Sequence, residues 1–291
     1  MANLKEIRNR ISSVGSTMQI TSAMKMVSAA KLKRAQDAIT QMRPYASKLK
    51  DILTNLSATL DLSDNAYSEV REGGKVLIVG VTSNRGLCGG FNNNVIKRVN
   101  EIIATDYSGD DVHVLCLGKK IRDVIKRTDY YYTNEYLESR EDVYADLTFD
   151  NVSEIGGELM RLYKTGEFSK ICVVYNRFVN AATQKVETEQ FLPVQAPESE
   201  ESAQTGDYIF EPSKEEIVDD LIPKSLKVQL FKAILDSNAA EHGARMTAMD
   251  KATDNANELQ KTLKLSYNKA RQAAITNEIL EIVGGAEALN S

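Results

Sequence analysis

The stretch LKEIRNRISSVGSTMQITSAMKMVSAAKLKRAQDAITQM, residues 4–42, decides the fold that the sequence predicts. Alternating steps of three and four residues join its apolar and small side chains, which is the heptad spacing of a helix that packs against another long helix. The seam positions are Leu4, Ile7, Ile11, Val14, Met18, Thr21, Lys25, Ser28, Leu32, Ala35, Ile39 and Met42. The middle of this seam is weakly apolar. Because Ala23, Met24, Val27 and Ala30 lie beside the weak positions, we expect the apolar stripe to drift around the helix there.

A second long helix is predicted at the other end of the chain. Proline breaks helix interiors, and no proline follows Pro223, so the pattern predicts a helix from 224 to about 283. At about 1.5 Å per residue this helix is roughly 90 Å long, too long to pack on one small domain alone. Its predicted seam consists of small and flexible apolar residues: Met246, Met249, Ala252, Ala256, Leu259, Leu263, Ala270 and Ala273. We expect the two terminal helices to form an antiparallel coiled coil, because they lie at opposite ends of a chain that a compact domain joins.

The residues between the helices change to the period of β-strands. Runs rich in β-forming residues at 76–81 and 112–117 are each followed by a helical stretch, at 94–104 and 119–127. Three further strand candidates lie at 130–132, 171–175 and 186–191. This alternation predicts a small α/β, Rossmann-like domain of about five strands.

The predicted fold class is therefore α/β plus a long helical coiled coil. The N-terminal helix of the coiled coil occupies residues 1–60, and the α/β domain occupies 74–195. A loop and connection with three prolines and an acidic run follows at 196–223, and the C-terminal helix occupies 224–287.

Composition argues against several classes of protein. The 291 residues are 42% apolar, enough for one or two packed domains, but they contain no apolar run of the ~18 residues that a membrane-spanning helix needs. The N-terminus lacks the layout of a signal peptide, so we expect the chain to remain on the side of the membrane where it is made. Three widely spaced cysteines and two histidines favour neither a disulfide framework nor a metal site.

Charge is distributed unevenly along the chain. Residues 1–51 hold ten Lys or Arg against three Asp or Glu, a balance of +7, which leaves −12 for the rest of a chain whose net charge is −5. A solvated helical face and a basic arm that binds an acidic partner both fit this pattern. A scaffold that binds nucleic acid therefore stays open at this point, although Tyr45 is the only aromatic residue in the basic segment.

The glycine-rich turn SNRGLCGG, residues 83–90, is the most enzyme-like feature. It lies between a predicted strand and a predicted helix, where phosphate-binding loops occur. However, it has neither the GxxxxGK[ST] of a P-loop nor the GxGxxG of a dinucleotide site, so we expect its glycines to serve backbone geometry. Cys88 is expected to be a small buried residue. A small nucleotide-dependent enzyme remains the second alternative, with no general base or phosphate loop to support it.

Four motifs in sequence order resemble the gamma subunits of F-type ATP synthases, bacterial members above all. They are ISSVGSTMQITSAMKMVSAAK (11–31), NRGLCGGFN (84–92), ARMTAMDKATDNA (244–256) and NKARQAAITNEILEIVGGAEAL (268–289). The one departure is Asn84, where Asp is more common in the family. No insertion with a regulatory cysteine pair is present, so thiol control is not expected.

This resemblance implies a function as well as a fold. It implies that the coiled coil stands inside a ring of three alpha and three beta subunits, and that the α/β domain forms a foot on the ring of c subunits, together with the epsilon subunit. The chain would be the central rotor shaft of a proton-translocating ATP synthase, without a catalytic site or cofactor of its own and without nucleic acid as a partner. It would be a peripheral protein on the cytoplasmic face of the bacterial inner membrane.

The resemblance also implies contact residues for each partner. Six residues are expected to contact a beta subunit. Arg271, Gln272 and Thr276 match a polar catch that hydrogen-bonds a beta-subunit loop. Arg8 and Lys25 match parts of a basic surface, and Met24 matches a residue near an acidic loop of the beta subunit. In the foot, Tyr208 and Glu211 of the segment DYIFEP (207–212) are expected to contact the c ring or epsilon. The tip that turns within an apolar sleeve is expected to present Ile279, Leu280, Ile282 and Val283.

Overall fold

The computed structural model describes residues 4–57, 65–71, 73–138, 143–144, 146–194 and 214–290. Contacts divide the chain into two compact units. The first consists of Met1–Ser28 with Met246–Ser291, and the second consists of Ala29–Arg245. Each of the two terminal helices therefore contributes residues to both units.

The two long helices are α1, Leu4–Ser57, and α6, Lys214–Asn290. The prediction of a long helix at each end is confirmed, but the prediction that the second begins after Pro223 is wrong, because residues 214–223 are helical as well. A proline inside a helix costs about 3 kcal/mol through a lost hydrogen bond and a steric clash. Ile222 and Leu226, on either side of Pro223, are both buried in the core of the second unit, and this burial offsets the cost.

The second unit contains one five-stranded sheet, and all five predicted strands are present in it. The strands are β1 Lys75–Val81, β2 Asp111–Leu117, β3 Tyr131–Tyr132, β4 Lys170–Phe178 and β5 Gln184–Leu192. Their order is β3-β2-β1-β4-β5. All neighbouring strands are parallel except β5, which pairs antiparallel with β4. The predicted α/β domain is therefore confirmed.

Helices cover both faces of this sheet. On one face, α2 (Phe91–Thr105) and α3 (Lys119–Ile125) bury apolar side chains against Ile78 and Val114. On the other face, α5 (Phe149–Lys164) and residues 222–234 of α6 pack against Leu77 and Val79. The central strand β1 is buried on both faces, which explains why its sequence is a continuous apolar run.

Two helices in this unit have no counterpart in the sequence prediction. The short α4 (Glu135–Glu138) and the longer α5 lie between β3 and β4. The sequence of α5 contains both signals of a helix. Thr148 caps its N-terminus, with its side chain accepting a hydrogen bond from the Asn151 backbone N–H, and buried residues recur at 152, 155, 159 and 162.

Candidate interaction surfaces

In the first unit, the start of α1 and the C-terminal part of α6 form an antiparallel pair in one register. Four cross-helix contacts define it: Arg8 with Tyr267, Gly15 with Gln260, Thr21 with Thr253, and Lys25 with Asp250. The outer two contacts are equally far apart on both helices, from 8 to 25 and from 267 to 250. The predicted antiparallel coiled coil is therefore confirmed in this unit, and we call the paired helices the hairpin.

The predicted seam of α1 is confirmed, because each of its positions from Leu4 to Met42 is buried or half-buried. The predicted drift of the stripe is wrong: Ala23, Val27 and Ala30 are exposed. The seam instead keeps its three-and-four stepping through polar residues. Thr21 and Ser28 are buried although neither is apolar.

The predicted seam of α6 needs two corrections. Leu259 is 49% exposed, and Ala273 is also exposed. A seam in strict steps of three and four is at least half-buried throughout, at 246, 249, 253, 256, 260, 263, 267 and 270, and the predicted seam residue Ala252 is half-buried beside it. Thr253, Gln260 and Tyr267 therefore occupy seam positions, and a search for apolar residues alone does not find them.

The predicted beta-contact residues Arg8 and Lys25 have partners within this chain. The Arg8 guanidinium donates a hydrogen bond of 2.8 Å to the Tyr267 hydroxyl and lies 5.7 Å from the centroid of the Tyr267 ring. The Lys25 ammonium forms an ion pair with Asp250. Met24, next to Lys25, is half-buried. Any partner that meets Arg8 or Lys25 meets a side chain already held by α6.

Beyond the hairpin, α6 continues as a helix that no described part of the chain covers. Tyr267 lies opposite Arg8, and the described part of α1 begins at Leu4, so α6 residues beyond 271 have no described α1 residue opposite them. Every residue from 271 to 286 is exposed. We call residues 271–286 the free end of α6.

The free end contains most of the predicted contact residues, and they lie within one half of the helix circumference. Gln272 and Thr276 are one turn apart and share a face, with Arg271 beside them. The large apolar side chains are between 49% and 66% exposed: Ile275, Ile279, Leu280, Ile282 and Val283. A cluster of apolar side chains at this exposure is typical of a surface that a partner covers.

A second exposed apolar surface lies on α1 and was missed by the sequence analysis. Ile20, Met26 and Val27 are each more than half exposed although the seam residues beside them, Thr21 and Ser28, are buried. The outward side of the helix is thus more apolar here than the seam. The signal in the sequence was the group of apolar residues that lie off the heptad positions.

In the second unit, the glycine-rich turn connects β1 to α2 and is held by its own side chains. Leu87 and Gly89 adopt positive φ of 63° and 59°, a conformation that favours glycine. The Ser83 backbone N–H donates to the Asn92 side-chain oxygen at 2.9 Å. The amide nitrogen of Asn92 in turn donates to the Cys88 sulfur at 3.1 Å.

Arg245 of α6 also binds this turn by hydrogen bonds. Arg245 donates hydrogen bonds to the backbone carbonyls of Arg85, at 3.2 Å, and Gly86, at 3.3 Å, and forms an ion pair with Glu241. Cys88 is buried beside Ala240, and this burial raises the pKa of its thiol, so the thiol stays protonated at neutral pH. These contacts are those of a structural turn, as its glycine spacing predicted.

The remaining predictions concern metals, membranes and the c ring. Among the described residues, no group of three or more His, Cys, Asp or Glu side chains is arranged to hold a metal ion. None of the described helices combines the length and the apolar character needed to cross a bilayer. The predicted contacts Tyr208 and Glu211 lie outside the described residues.

Comparison with known proteins assigns the family. The model of the ATP synthase family matches residues 3–289. The ATP synthase gamma chain of Flavobacterium johnsoniae is 64% identical over 292 residues, covering 100% of both chains. The chain belongs to the ATP synthase gamma-chain family. More distant gamma chains include that of Cytophaga hutchinsonii, 54% identical over 100% of both chains. A gamma chain is a subunit of ATP synthase, a membrane-associated complex.

Solved structures share the fold of this gamma-chain family member at low sequence identity. A chain in the Euglena gracilis mitochondrial ATP synthase, in a cryo-EM structure of OSCP, F1 and c-ring, superposes with a TM-score of 0.66. Identity is 20%, and the match covers 98% of this chain and 94% of that chain. A chain in the rotor of the same enzyme gives a TM-score of 0.63 at 19% identity, covering 94% and 98%. The shared architecture is two long terminal helices and a central mixed sheet.

Proposed function

We propose that this chain is the central rotor shaft of a proton-translocating ATP synthase, and that it couples rotation of a c-subunit ring to conformational changes at catalytic sites on beta subunits. The observation that carries the proposal is the free end of α6, a helix exposed on every side that presents both polar and apolar side chains. Membership of the gamma-chain family supports the assignment. The fold shared with chains of solved ATP synthases supports it as well.

The chain acts without a catalytic site of its own. The glycine-rich turn is the feature most similar to a nucleotide site, and its carbonyl groups at Arg85 and Gly86 accept hydrogen bonds from Arg245. The protonated Cys88 thiol is a poor nucleophile. In this proposal, ATP chemistry belongs to the beta subunits, and the gamma chain controls it by contact.

The mechanism requires that one shaft contact three identical beta subunits differently. A ligand or a neighbouring chain shifts a conformational equilibrium only by its differential affinity for the two states. The free end meets this requirement, because Gln272 and Thr276 lie on one side of the helix only, and the apolar side chains further along lie on the same side. As the shaft turns, each beta subunit meets this side of the helix once per revolution.

We assign the contacts as follows. Arg271, Gln272 and Thr276 contact a beta-subunit loop by hydrogen bonds, and Met24 packs near an acidic loop of a beta subunit. Arg8 and Lys25 contribute through the pairs that they form with Tyr267 and Asp250, since these pairs already fix their positions. The sleeve formed by the alpha and beta subunits surrounds the apolar side chains of the tip, namely Ile279, Leu280, Ile282 and Val283.

The foot provides the second set of contacts. The α/β domain, residues 74–195, joins the shaft to the c ring and to the epsilon subunit, with Tyr208 and Glu211 of the segment that follows it as contact residues. The chain is held at the cytoplasmic face of the bacterial inner membrane through this complex.

Rotation of the assembled complex tests this proposal. The complex that co-purifies with the tagged full chain is immobilised through its beta subunits, and a bead is attached to a cysteine introduced at Lys97, an exposed residue of the foot. We expect alpha, beta, epsilon and c subunits to co-purify, and the bead to turn in one direction when ATP is added. ATP hydrolysis without rotation of the bead would overturn the shaft proposal, and purification of the chain without alpha and beta subunits would overturn the assignment to the complex.

A further inference from the structure

The middle of the hairpin seam is polar. Thr21 and Thr253 face each other with their hydroxyl oxygens 2.7 Å apart, and one turn further along α1 the Lys25 ammonium pairs with Asp250. On one side of these pairs the seam is apolar, with Met18 on α1 and Ala256 on α6. We call the four residues Thr21, Lys25, Asp250 and Thr253 the polar layer.

We propose that the polar layer sets the axial register of the hairpin. A heptad seam built from apolar residues alone tolerates a slip of seven residues, because every apolar position then meets another apolar position. A buried polar residue at a seam position specifies one register in other coiled coils, at a cost in stability. This inference concerns the chain itself and goes beyond the proposed function.

In the observed register, the two threonine hydroxyls share a hydrogen bond across the seam. Each hydroxyl has one proton, and each has a carbonyl acceptor on its own helix, Met18 for Thr21 and Met249 for Thr253. One hydroxyl donates to its own carbonyl, and the other donates across the seam to it. A slip of seven residues in one direction places both hydroxyls against apolar side chains, Met246 for Thr21 and Val14 for Thr253, and Thr21 is only 8% exposed, so water cannot fully replace the lost partner. A slip in the other direction places them against Gln260 and Ser28, so the ion pair is what opposes that slip.

The ion pair between Lys25 and Asp250 also favours the observed register. In the observed register, Asp250 lies opposite Lys25. A slip of seven residues in one direction brings Asp250 opposite Met18, and a slip in the other direction brings it opposite Leu32. Both slips take the carboxylate away from its cation and place it against an apolar side chain.

Exposure explains why the layer acts on register more than on stability. The side chains of Lys25 and Asp250 are 43% and 49% exposed, so solvent screens their attraction, and pairs of this kind stabilise little. Their contribution is a difference between registers, since only one register brings the two charges together.

Distance measurements between spin labels test the proposal on the full chain. The labels are attached to cysteines introduced at Asn9 and Asn255, two exposed residues offset along the hairpin. The three native cysteines are buried, and a parent chain without the new cysteines checks that they stay unlabelled. A slip of seven residues moves one label by about 10 Å along the axis. We expect one distance in the wild-type chain.

The decisive variant makes the layer apolar, with Thr21→Val, Lys25→Leu, Asp250→Leu and Thr253→Val. We expect a second distance, displaced by about 10 Å, to appear in a chain that remains helical. A single distance equal to that of the wild type would overturn the proposal. As a matched control, Arg10→Ala removes the Glu6–Arg10 ion pair, which lies within α1 and does not cross the seam, and should leave the distance unchanged.

A charge exchange keeps the test decisive if the apolar variant does not fold. Lys25→Asp places two carboxylates opposite each other and should displace or broaden the distance distribution. Adding Asp250→Lys restores opposite charges in the reverse order and should restore the wild-type distance. If the single variant keeps the wild-type distance, or if the double variant does not recover it, the layer does not set the register.

Discussion

Glu241 and Arg245 form an ion pair one turn apart on α6, and their side chains are only 11% and 9% exposed. Burial raises the pKa of Glu241, and the neighbouring Arg245 acts in the opposite direction by favouring the charged carboxylate. Arg245 also binds the carbonyls of Arg85 and Gly86. One guanidinium therefore neutralises a buried acid and satisfies two backbone acceptors of the glycine-rich turn.

Removing this guanidinium should destabilise the second unit strongly. Arg245→Ala removes the cation that pairs with the buried Glu241 carboxylate, and breaking a buried pair on one side typically costs about 3–5 kcal/mol. Urea unfolding of the full chain measures the change. The matched control is Lys33→Ala, because Lys33 and Asp37 are 74% and 54% exposed and pair at the surface, where about 0–1 kcal/mol is expected. Equal effects of the two variants would contradict the structural role of the buried pair.

Gly118 and Gly157 should respond in opposite ways to alanine. Gly118 has a φ of +109°, and a Cβ added there would lie 2.0 Å from the Thr82 carbonyl oxygen, so Gly118→Ala should cost at least about 2 kcal/mol. Gly157 lies inside α5 with nothing within 4 Å of an added Cβ, and Gly157→Ala should stabilise by up to about 1 kcal/mol. Urea midpoints of both variants that shift in the same direction would contradict this prediction.

His242 should make stability depend on pH below neutrality. Burial, assisted by the charges of Arg245 and Lys31, lowers its pKa to about 4. The unfolded chain binds a proton at this side chain near pH 6.5, so stability is complete above that pH and falls as the pH drops toward 4. The fall is less than about 1.4 kcal/mol per pH unit, because the side chain is partly exposed.

The variant His242→Gln isolates this contribution. The neighbouring Glu241 has a raised pKa and changes stability in the opposite sense, so the comparison must be with a chain that lacks only the imidazole. Between pH 7 and pH 4.5, the wild-type chain should lose more unfolding free energy than His242→Gln does. Parallel pH profiles of the two chains would show that His242 does not titrate as expected.

Gln272 and Thr276 should affect turnover without affecting the fold. Both side chains are exposed and lie one turn apart on the free end, so Gln272→Ala and Thr276→Ala should leave the melting temperature of the isolated chain within about 1 °C. In the assembled complex, we expect each variant to lower ATPase turnover several-fold, because a hydrogen bond to a beta subunit is lost. Asn255→Ala, at an exposed position within the hairpin, is the control. Unchanged turnover in both variants would contradict the proposal that Gln272 and Thr276 form hydrogen bonds to a beta subunit.

The sequence predicted the regular parts of this fold well, because their signals are local. The strand runs at 76–81 and 112–117 are apolar on both faces, and the helix seam at 4–42 repeats over many turns. The start of α6 could not be predicted in this way. Pro223 predicts a helix boundary, and only the burial of Ile222 and Leu226 in the three-dimensional core overrides that local preference.

The surfaces were harder to predict than the core. The exposure of Ile20, Met26 and Val27 depends on which face of α1 meets α6, and polar residues such as Thr21 define that face. A hydrophobic pattern assigns apolar residues to the seam, so it misses both the exposed apolar residues and the polar residues of the seam. The intramolecular partners of Arg8 and Lys25 were equally hidden, because they lie more than 220 residues away in sequence.

That sequence separation has a consequence for the order in which the chain folds during synthesis. Lys25 and Asp250 are 225 residues apart, and ribosomes add about 5–20 residues per second. Lys25 is therefore synthesised roughly 10–45 s before Asp250. The sheet is complete once β5 has been made, before residue 250 leaves the ribosome. The first helix to be synthesised is therefore the last to be paired, and during that interval Ile7 and its neighbours on the seam are available to chaperones.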